Sequence, residues 1–245
     1  MSKKKVEIMD TTLRDGEQTS GMSFSEYEKL TISKLLLKDL KVDRIEVASA
    51  RVSSGEFNAV KKIVNWAKSE NLEKKVEILT FIDSGISIDW MIKSGAKIQN
   101  LLSKGSINHL KYQLKKTPTE HFNDVEQIIE IAVKNKIETN IYLEDWSNGM
   151  KSSKDYVFSF LDFLKKMPIK RVLLPDTLGI LNPGETFNFL NEIIKEYPNI
   201  HFDFHAHNDY DLSVANTLEA MKAGCHGIHT TINGMGERAG NTPMA

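Results

Sequence analysis

The sequence has little that would tie it to nucleic acid, a membrane or an oxidising compartment. Its 33 acidic and 32 basic side chains leave a formal net charge of −1, so neither DNA nor an anionic membrane surface would be attracted strongly. No stretch reaches the roughly 18 consecutive apolar residues of a membrane span. The single cysteine, Cys225, excludes an intramolecular disulfide, and the basic start lacks the apolar core of a signal peptide. We therefore expect a cytoplasmic protein with no nucleic-acid or membrane partner.

Short β-branched apolar runs alternate with longer segments of helical period. Eight such runs predict strands at residues 6–9, 44–48, 76–81, 98–102, 138–143, 171–174, 201–205 and 228–232. This alternation predicts a parallel sheet covered by right-handed helical crossovers. Eight repeats in 245 residues favour an α/β fold of the (β/α)8, or TIM, barrel type over an open doubly wound sheet. Residues 11–16 (TTLRDG) stand after the first strand, where a dinucleotide-binding fingerprint would otherwise lie.

Helix boundaries are marked by local signals. Ser25 and Ser53, each followed three residues later by a glutamate, predict capped helix starts. Pro183 is placed in a first helical turn, and Gly224 at the end of a helix. No linker divides residues 1–245, which we interpret as one catalytic barrel domain. The chain ends just after the eighth strand, so we expect an eighth helix to be absent.

Polar side chains collect at the predicted carboxyl ends of the strands, where active sites of (β/α)8 barrels lie. They are Arg14, Asp15, Glu46, Glu144, Asp145, Asp176, Thr177, His205, His207, Asn208, Asp209, Glu237, Arg238 and Asn241.

The sharpest local signal is the pair His205 and His207. Alternate residues of a strand face the same side, so both imidazoles enter the barrel mouth together and suit a divalent metal. Surface or hydrogen-bonded histidines are the alternative, but the strand-end position favours a metal. One interpretation of Arg14 and Asp15 is a structural salt bridge alone. Beside a metal, Asp15 would instead be a ligand and Arg14 would bind an anionic group of the substrate. The glycine-rich residues 234–240 form either a phosphate-binding loop or a plain tight turn. The remaining histidines are interpreted as solvated or satisfied: His109, His121, His201, His226 and His229.

Three motifs together carry a family resemblance. Residues 10–18 (DTTLRDGEQ), 205–209 (HAHND) and 234–241 (GMGERAGN) resemble the 2-isopropylmalate, homocitrate and citramalate synthase family of metal-dependent Claisen-condensing barrels. Residues 140–149 and 207–216 are most similar to the bacterial (R)-citramalate synthases. The resemblance implies an acyltransferase that condenses acetyl-CoA, the co-substrate, with a small 2-oxo acid, most closely pyruvate.

The same resemblance implies roles for individual residues. A divalent metal (Zn, Mn or Mg) would be bound by Asp15, His205, His207 and Asn241. Arg14 would polarise the 2-oxo group and Glu144 would shape the site beside the reacting carbons, so these two are the expected catalytic residues. The expected substrate-binding residues are Arg14 and Thr177, which contact the polar groups, together with Leu79, Leu102 and Tyr142.

The last three residues bear on substrate choice. Leu79, Leu102 and Tyr142 would line a small apolar pocket that suits the methyl group of pyruvate and disfavours the second carboxylate of 2-oxoglutarate. The alternative is that they are ordinary residues of the barrel core. The alternative within the same family is a 2-isopropylmalate or homocitrate synthase. A hydroxymethylglutaryl-CoA lyase is disfavoured, because its Cys-bearing active-site loop is not evident.

One departure from the family concerns the end of the chain. Family members continue with an eighth helix and C-terminal subdomains that bring a His and a Tyr into the partner subunit's site, which implies a homodimer for a full-length form. We therefore expect the 245-residue chain to bind metal and 2-oxo acid but to turn over poorly. A catalytically incomplete metal-binding barrel is the alternative from another functional class.

Overall fold

The computed structural model describes residues 5–244, which form a closed barrel of eight parallel strands. Each strand is hydrogen-bonded to the next in chain order, and β1 pairs with β8 to close the barrel. The predicted (β/α)8 architecture is thus confirmed. The strands are β1 Glu7–Asp10, β2 Arg44–Ser49, β3 Val76–Phe81, β4 Ile98–Lys104, β5 Glu138–Glu144, β6 Arg171–Asp176, β7 Phe202–Ala206 and β8 Gly227–Thr230.

The predicted strand boundaries differ from the observed ones mainly at the carboxyl ends. Strand β4 continues past its apolar run to Lys104, because the ladder with β5 extends to the pair Lys104 and Glu144. Strand β8 is shorter than predicted and ends at Thr230. Beyond it, the backbone of Thr231 bridges to Pro243, so the chain leaves the barrel wall to pair with its own returning segment.

Helices cover the outside of the barrel, and the β5 to β6 crossover contains two of them. The helices are α1 Glu26–Lys34, α2 Ser54–Ser69, α3 Ile86–Ser94, α4 Pro118–Lys134, α5 Trp146–Ser152, α6 Lys154–Leu164, α7 Pro183–Glu196 and α8 Ser213–Ala223. Ser25 and Ser53 accept hydrogen bonds from the N–H groups three residues on, as predicted. Pro183 opens α7, and Gly224 ends α8 with φ +102°, a conformation that glycine adopts without strain. Within residues 5–244, no helix is both long and apolar enough to cross a membrane.

The barrel interior contains many polar side chains beside a small apolar cluster, whereas the layer between strands and helices is apolar. Buried acidic and amide side chains from β2 to β5 point at one another inside the barrel, where branched apolar side chains usually dominate. At the amino end, Arg44 pairs with Glu7, Glu77 and Asp203. Such buried charges are tolerated only when they are paired, so the interior is a connected polar network that leads to the mouth.

Candidate active site

Three ligand-type side chains meet at the carboxyl end of the barrel. Asp15 follows β1, His205 lies in β7 and His207 follows it, and all three are buried. His205 Nε2 is 3.0 Å from Asp15 Oδ2 and 3.3 Å from His207 Nε2. One ligand atom from each residue lies within 4.8 Å of the others, and no second group of this kind occurs among residues 5–244. These three predicted metal-binding residues are therefore brought together.

The donor set fits a divalent cation. Asp15 Oδ1 and the Nδ1 atom of His207 are buried without a hydrogen-bond partner, and Asp15 Oδ2 faces His205 Nε2 and Arg14 Nη1. Burial alone would raise the pKa of Asp15, but the Arg14 guanidinium and the neighbouring imidazoles hold it well below its usual range. Burial and the adjacent His205 lower the pKa of His207 to about 3. A charged carboxylate and a neutral imidazole are the forms that ligate metals.

The fourth predicted ligand, Asn241, lies beside this group. Its backbone bridges to His207, and its buried Oδ1 atom has no partner while its Nδ2 group donates to the Met235 carbonyl over 2.9 Å. The backbone N–H groups of Gly240 and Asn241 donate within the same loop, to Glu237 and Gly234. Because these donors are already used, the contacts support a tight turn that holds Asn241 rather than a phosphate-binding loop.

Arg14 is held by a buried acid that the sequence interpretation left without a role. Its Nε atom lies 2.5 Å from Glu46 Oε2, and its Nη1 atom lies 3.4 Å from Asp15 Oδ2. The other oxygen of Glu46 accepts from Asn100 Nδ2 over 2.6 Å. Burial disfavours the charged guanidinium, yet Asp15 and Glu46 together raise the pKa of Arg14, so it stays a cation. Glu46 therefore fixes the direction of a permanent positive charge at the mouth.

A cavity of about 310 Å³ opens above this group. All the predicted site residues except Asn241 line it, namely Arg14, Asp15, Leu79, Leu102, Tyr142, Glu144, Thr177, His205 and His207.

The polar wall of the cavity is formed by Glu144 and Thr177. Glu144 forms an ion pair with Lys104, a residue that the sequence interpretation missed because the two lie 40 positions apart. Thr177 Oγ1 accepts the N–H of Asp145 over 2.8 Å, which leaves the hydroxyl hydrogen of Thr177 free to donate toward a ligand. Asp145 itself has a left-handed backbone (φ +66°) and accepts the Ser106 hydroxyl.

The apolar wall is formed by Leu79, Leu102 and Tyr142. Leu79 and Tyr142 pack with Met9 and Leu173 in a small cluster, with Leu102 against it. These side chains are therefore both part of the core and lining of the cavity. The Cζ atom of Arg14 lies over the Tyr142 ring, 5.9 Å from the ring centroid. Tyr142 therefore both bounds the pocket and stabilises the cation beside it.

The chain is similar to known proteins over nearly its whole length. The HMGL-like family model matches residues 5–245. A probable 2-isopropylmalate synthase of Ignicoccus hospitalis is 34% identical over 98% of this chain and 58% of its own length. A homocitrate synthase of Saccharolobus islandicus is 32% identical over 98% of this chain and 51% of its own length. The chain thus spans about half to three fifths of these relatives.

Solved structures show the same fold at lower identity. The HMG-CoA lyase of Bacillus subtilis superposes with a TM-score of 0.77 at 20% identity, over 98% of this chain and 83% of that one. The carboxyl transferase domain of Rhizobium etli pyruvate carboxylase, solved with pyruvate and biocytin, gives a TM-score of 0.75 at 13% identity, over 99% of this chain and 42% of that one.

Proposed function

Because the chain belongs to the HMGL-like family, we propose that its protein is an acyltransferase that condenses acetyl-CoA with a small 2-oxo acid. The observation that carries this proposal is the buried group of Asp15, His205 and His207 beside the fixed Arg14 cation. A 2-oxo acid offers a carbonyl oxygen and a carboxylate side by side. The cavity is lined by a cationic group, a hydroxyl group and metal-ligating groups, together with an apolar wall.

The residues have distinct roles in the proposed reaction. A divalent ion bound by Asp15, His205, His207 and Asn241 would supply Lewis-acid stabilisation of an oxygen that gains negative charge. Arg14, held by Glu46, donates toward the 2-oxo oxygen where that charge develops.

Two further residues hold the other reacting groups. Thr177 donates its hydroxyl hydrogen to the substrate carboxylate. Glu144, held by Lys104, borders the space where the carbon–carbon bond forms.

The proposed reaction is a Claisen condensation followed by hydrolysis of the thioester. A base removes a proton from the acetyl methyl group, and the resulting enolate attacks the 2-oxo carbon. The former 2-oxo oxygen becomes a tertiary hydroxyl group after it takes up a proton. Water then cleaves the thioester and releases free coenzyme A, so the release of a thiol reports each turnover.

We propose pyruvate as the 2-oxo acid, with citramalate as the product. The wall of Leu79, Leu102 and Tyr142 offers no cation to pair with a second carboxylate, whose unpaired burial would be costly. The buried Tyr142 ring also takes up space that a branched side chain would need. The names of the relatives favour 2-isopropylmalate or homocitrate synthesis instead, so 2-oxoisovalerate and 2-oxoglutarate are the competing substrates. We also propose a homodimer for the full-length protein, as the family resemblance implies.

Calorimetry with the metal-loaded 245-residue protein tests the proposal. Pyruvate should bind, and Arg14→Gln should abolish that binding because the substrate loses its cation. Arg51→Gln is the matched control, since Arg51 pairs with Asp83 at the surface outside the cavity lining. Failure of the wild-type protein to bind any of the three 2-oxo acids, or unchanged binding by Arg14→Gln, would contradict the proposal.

A further inference from the structure

His229 lies in β8 inside the barrel, below the cavity, and is buried. Its Nε2 atom is 3.3 Å from Asp203 Oδ2, and its Nδ1 atom is 3.3 Å from His205 Nδ1 and 3.2 Å from the Tyr142 hydroxyl. We propose that His229 is a positioning residue that, with Asp203, fixes the tautomer of His205. This inference rests on the proposed metal site and adds a determinant of metal affinity that touches neither metal nor substrate.

Asp203 determines which ring nitrogen of His229 carries the hydrogen. Its carboxylate pairs with the buried Arg44 guanidinium, and its Oδ1 atom is 2.9 Å from His201 Nε2. A carboxylate beside a guanidinium remains ionised and can only accept hydrogen bonds. A neutral His229 must therefore carry its hydrogen on Nε2, which faces Asp203, and its Nδ1 atom is left as an acceptor.

The space for Asp203 comes from a glycine in the neighbouring strand. A Cβ atom on Gly227 would collide with the Asp203 carboxylate. The position therefore has to lack a side chain for the carboxylate to lie where it meets Arg44 and His229. The contact between Asp203 and His229 therefore depends on glycine at position 227.

His205 has a different partner at each ring nitrogen. Its Nδ1 atom lies 3.3 Å from the acceptor nitrogen of His229, so a hydrogen on His205 Nδ1 is satisfied there. In that form its Nε2 atom offers a lone pair to a cation held with Asp15 and His207, whereas the competing form places a hydrogen on Nε2, 3.0 Å from Asp15 Oδ2. The Tyr142 hydroxyl is 3.2 Å from the same His229 Nδ1 atom, which has one lone pair, so the hydroxyl shares that acceptor with the N–H of His205.

The contacts from Asp203 through His229 disfavour the His205 tautomer that carries its hydrogen on Nε2. A hydrogen on His205 Nε2 would occupy the position that a cation needs. Metal-ligating histidines commonly donate their other ring N–H to a partner that sets ring orientation, and loss of such partners typically weakens metal binding by about 10–100-fold. Here that partner is a second histidine, oriented in turn by an ion-paired carboxylate.

Zinc titration of the metal-free protein tests the inference. His229→Phe keeps a ring of similar size and removes all three polar contacts of the imidazole, so Zn²⁺ affinity should fall by about 10–100-fold. His201→Gln is the matched control, because His201 also contacts Asp203 but is partly exposed and directly precedes the amino end of β7. Its Zn²⁺ affinity should not change. Equal affinities for wild type and a folded His229→Phe would overturn the inference.

Nitrogen-15 NMR of the zinc-loaded wild-type protein gives a second test that needs no variant. His205 should be bound through Nε2 with its hydrogen on Nδ1, and His229 should carry its hydrogen on Nε2. Coordination of His205 through Nδ1, or a hydrogen on His229 Nδ1, would refute the assignment. Absence of zinc uptake by the wild-type protein overturns this inference together with the metal site. Uptake without 2-oxo acid binding overturns only the proposed reaction.

Discussion

Replacement of Tyr142 by serine should change which 2-oxo acid the protein prefers. The ring is 3% exposed, lines the cavity and packs in the same apolar cluster as Leu79. Its removal extends a cavity of about 310 Å³ in the direction of the substrate side chain. Each carbon that such a pocket accepts or rejects is worth about 1–3 kcal/mol. Relative to pyruvate, 2-oxoisovalerate carries two more carbons, so its relative affinity should rise by at least about tenfold.

The same substitution has a cost to folding that must be measured separately. Truncation of a buried aromatic side chain typically destabilises a protein by about 3–5 kcal/mol, and the Tyr142→Ser cost should be at the lower end because the new space joins an open cavity. Urea unfolding gives that value, and calorimetry with both acids gives the ratio of affinities.

Tyr142→Phe is the control for pocket size. It keeps the ring under Arg14 and removes only the hydroxyl contact to His229. Its preference between the two acids should match that of the wild type. An unchanged ratio in Tyr142→Ser, or an equal shift in both variants, would refute the reasoning that the ring volume sets substrate length.

Three further predictions concern metal binding and stability. His205→Ala should abolish stoichiometric metal uptake measured by elemental analysis, and unchanged metal content would show that the site is misassigned. Lys29→Met should lower the free energy of unfolding by about 3–5 kcal/mol, since Lys29 is buried between Glu17 and Glu56, whereas Lys38→Met at an exposed ion pair should cost less than about 1 kcal/mol. Burial raises the pKa of Asp10 to about 7, against the hydrogen bonds from Thr12. The folded state therefore holds a proton that the unfolded state releases, so stability should fall as pH rises from about 4 to 7, and Asp10→Asn should flatten that part of the urea-midpoint profile.

The features that the sequence predicts well are those encoded by neighbouring residues. Alternating apolar runs predict the eight strands, and Ser25 or Pro183 marks a helix start, because each signal depends on a few adjacent positions. The site could be predicted as a group because a parallel barrel brings the carboxyl ends of all strands to one rim. Asp15 and His205 therefore meet by topology alone.

The features that the sequence does not predict depend on partners across the barrel. Glu46 and Asp203 are charged residues within strands, and nothing nearby in the chain indicates that Arg14 or Arg44 will pair with them. His229 falls among the histidines interpreted as satisfied, and its contact with a candidate ligand appears only after β7 and β8 lie side by side. Pairings of this kind become visible only when the barrel is closed.

The seam between β8 and β1 has a consequence for how the molecule is made. There the N–H of Ile232 donates to the Thr12 hydroxyl over 2.8 Å, although the two residues lie 220 positions apart. Because Asp15 follows β1 and His205 lies in β7, the candidate site straddles this seam. A nascent chain on the ribosome would thus complete the site only after its last strand emerges, since contacts between distant segments form late. The onset of metal binding would then report when the barrel closes. Before that point, the open chain should be sensitive to proteases.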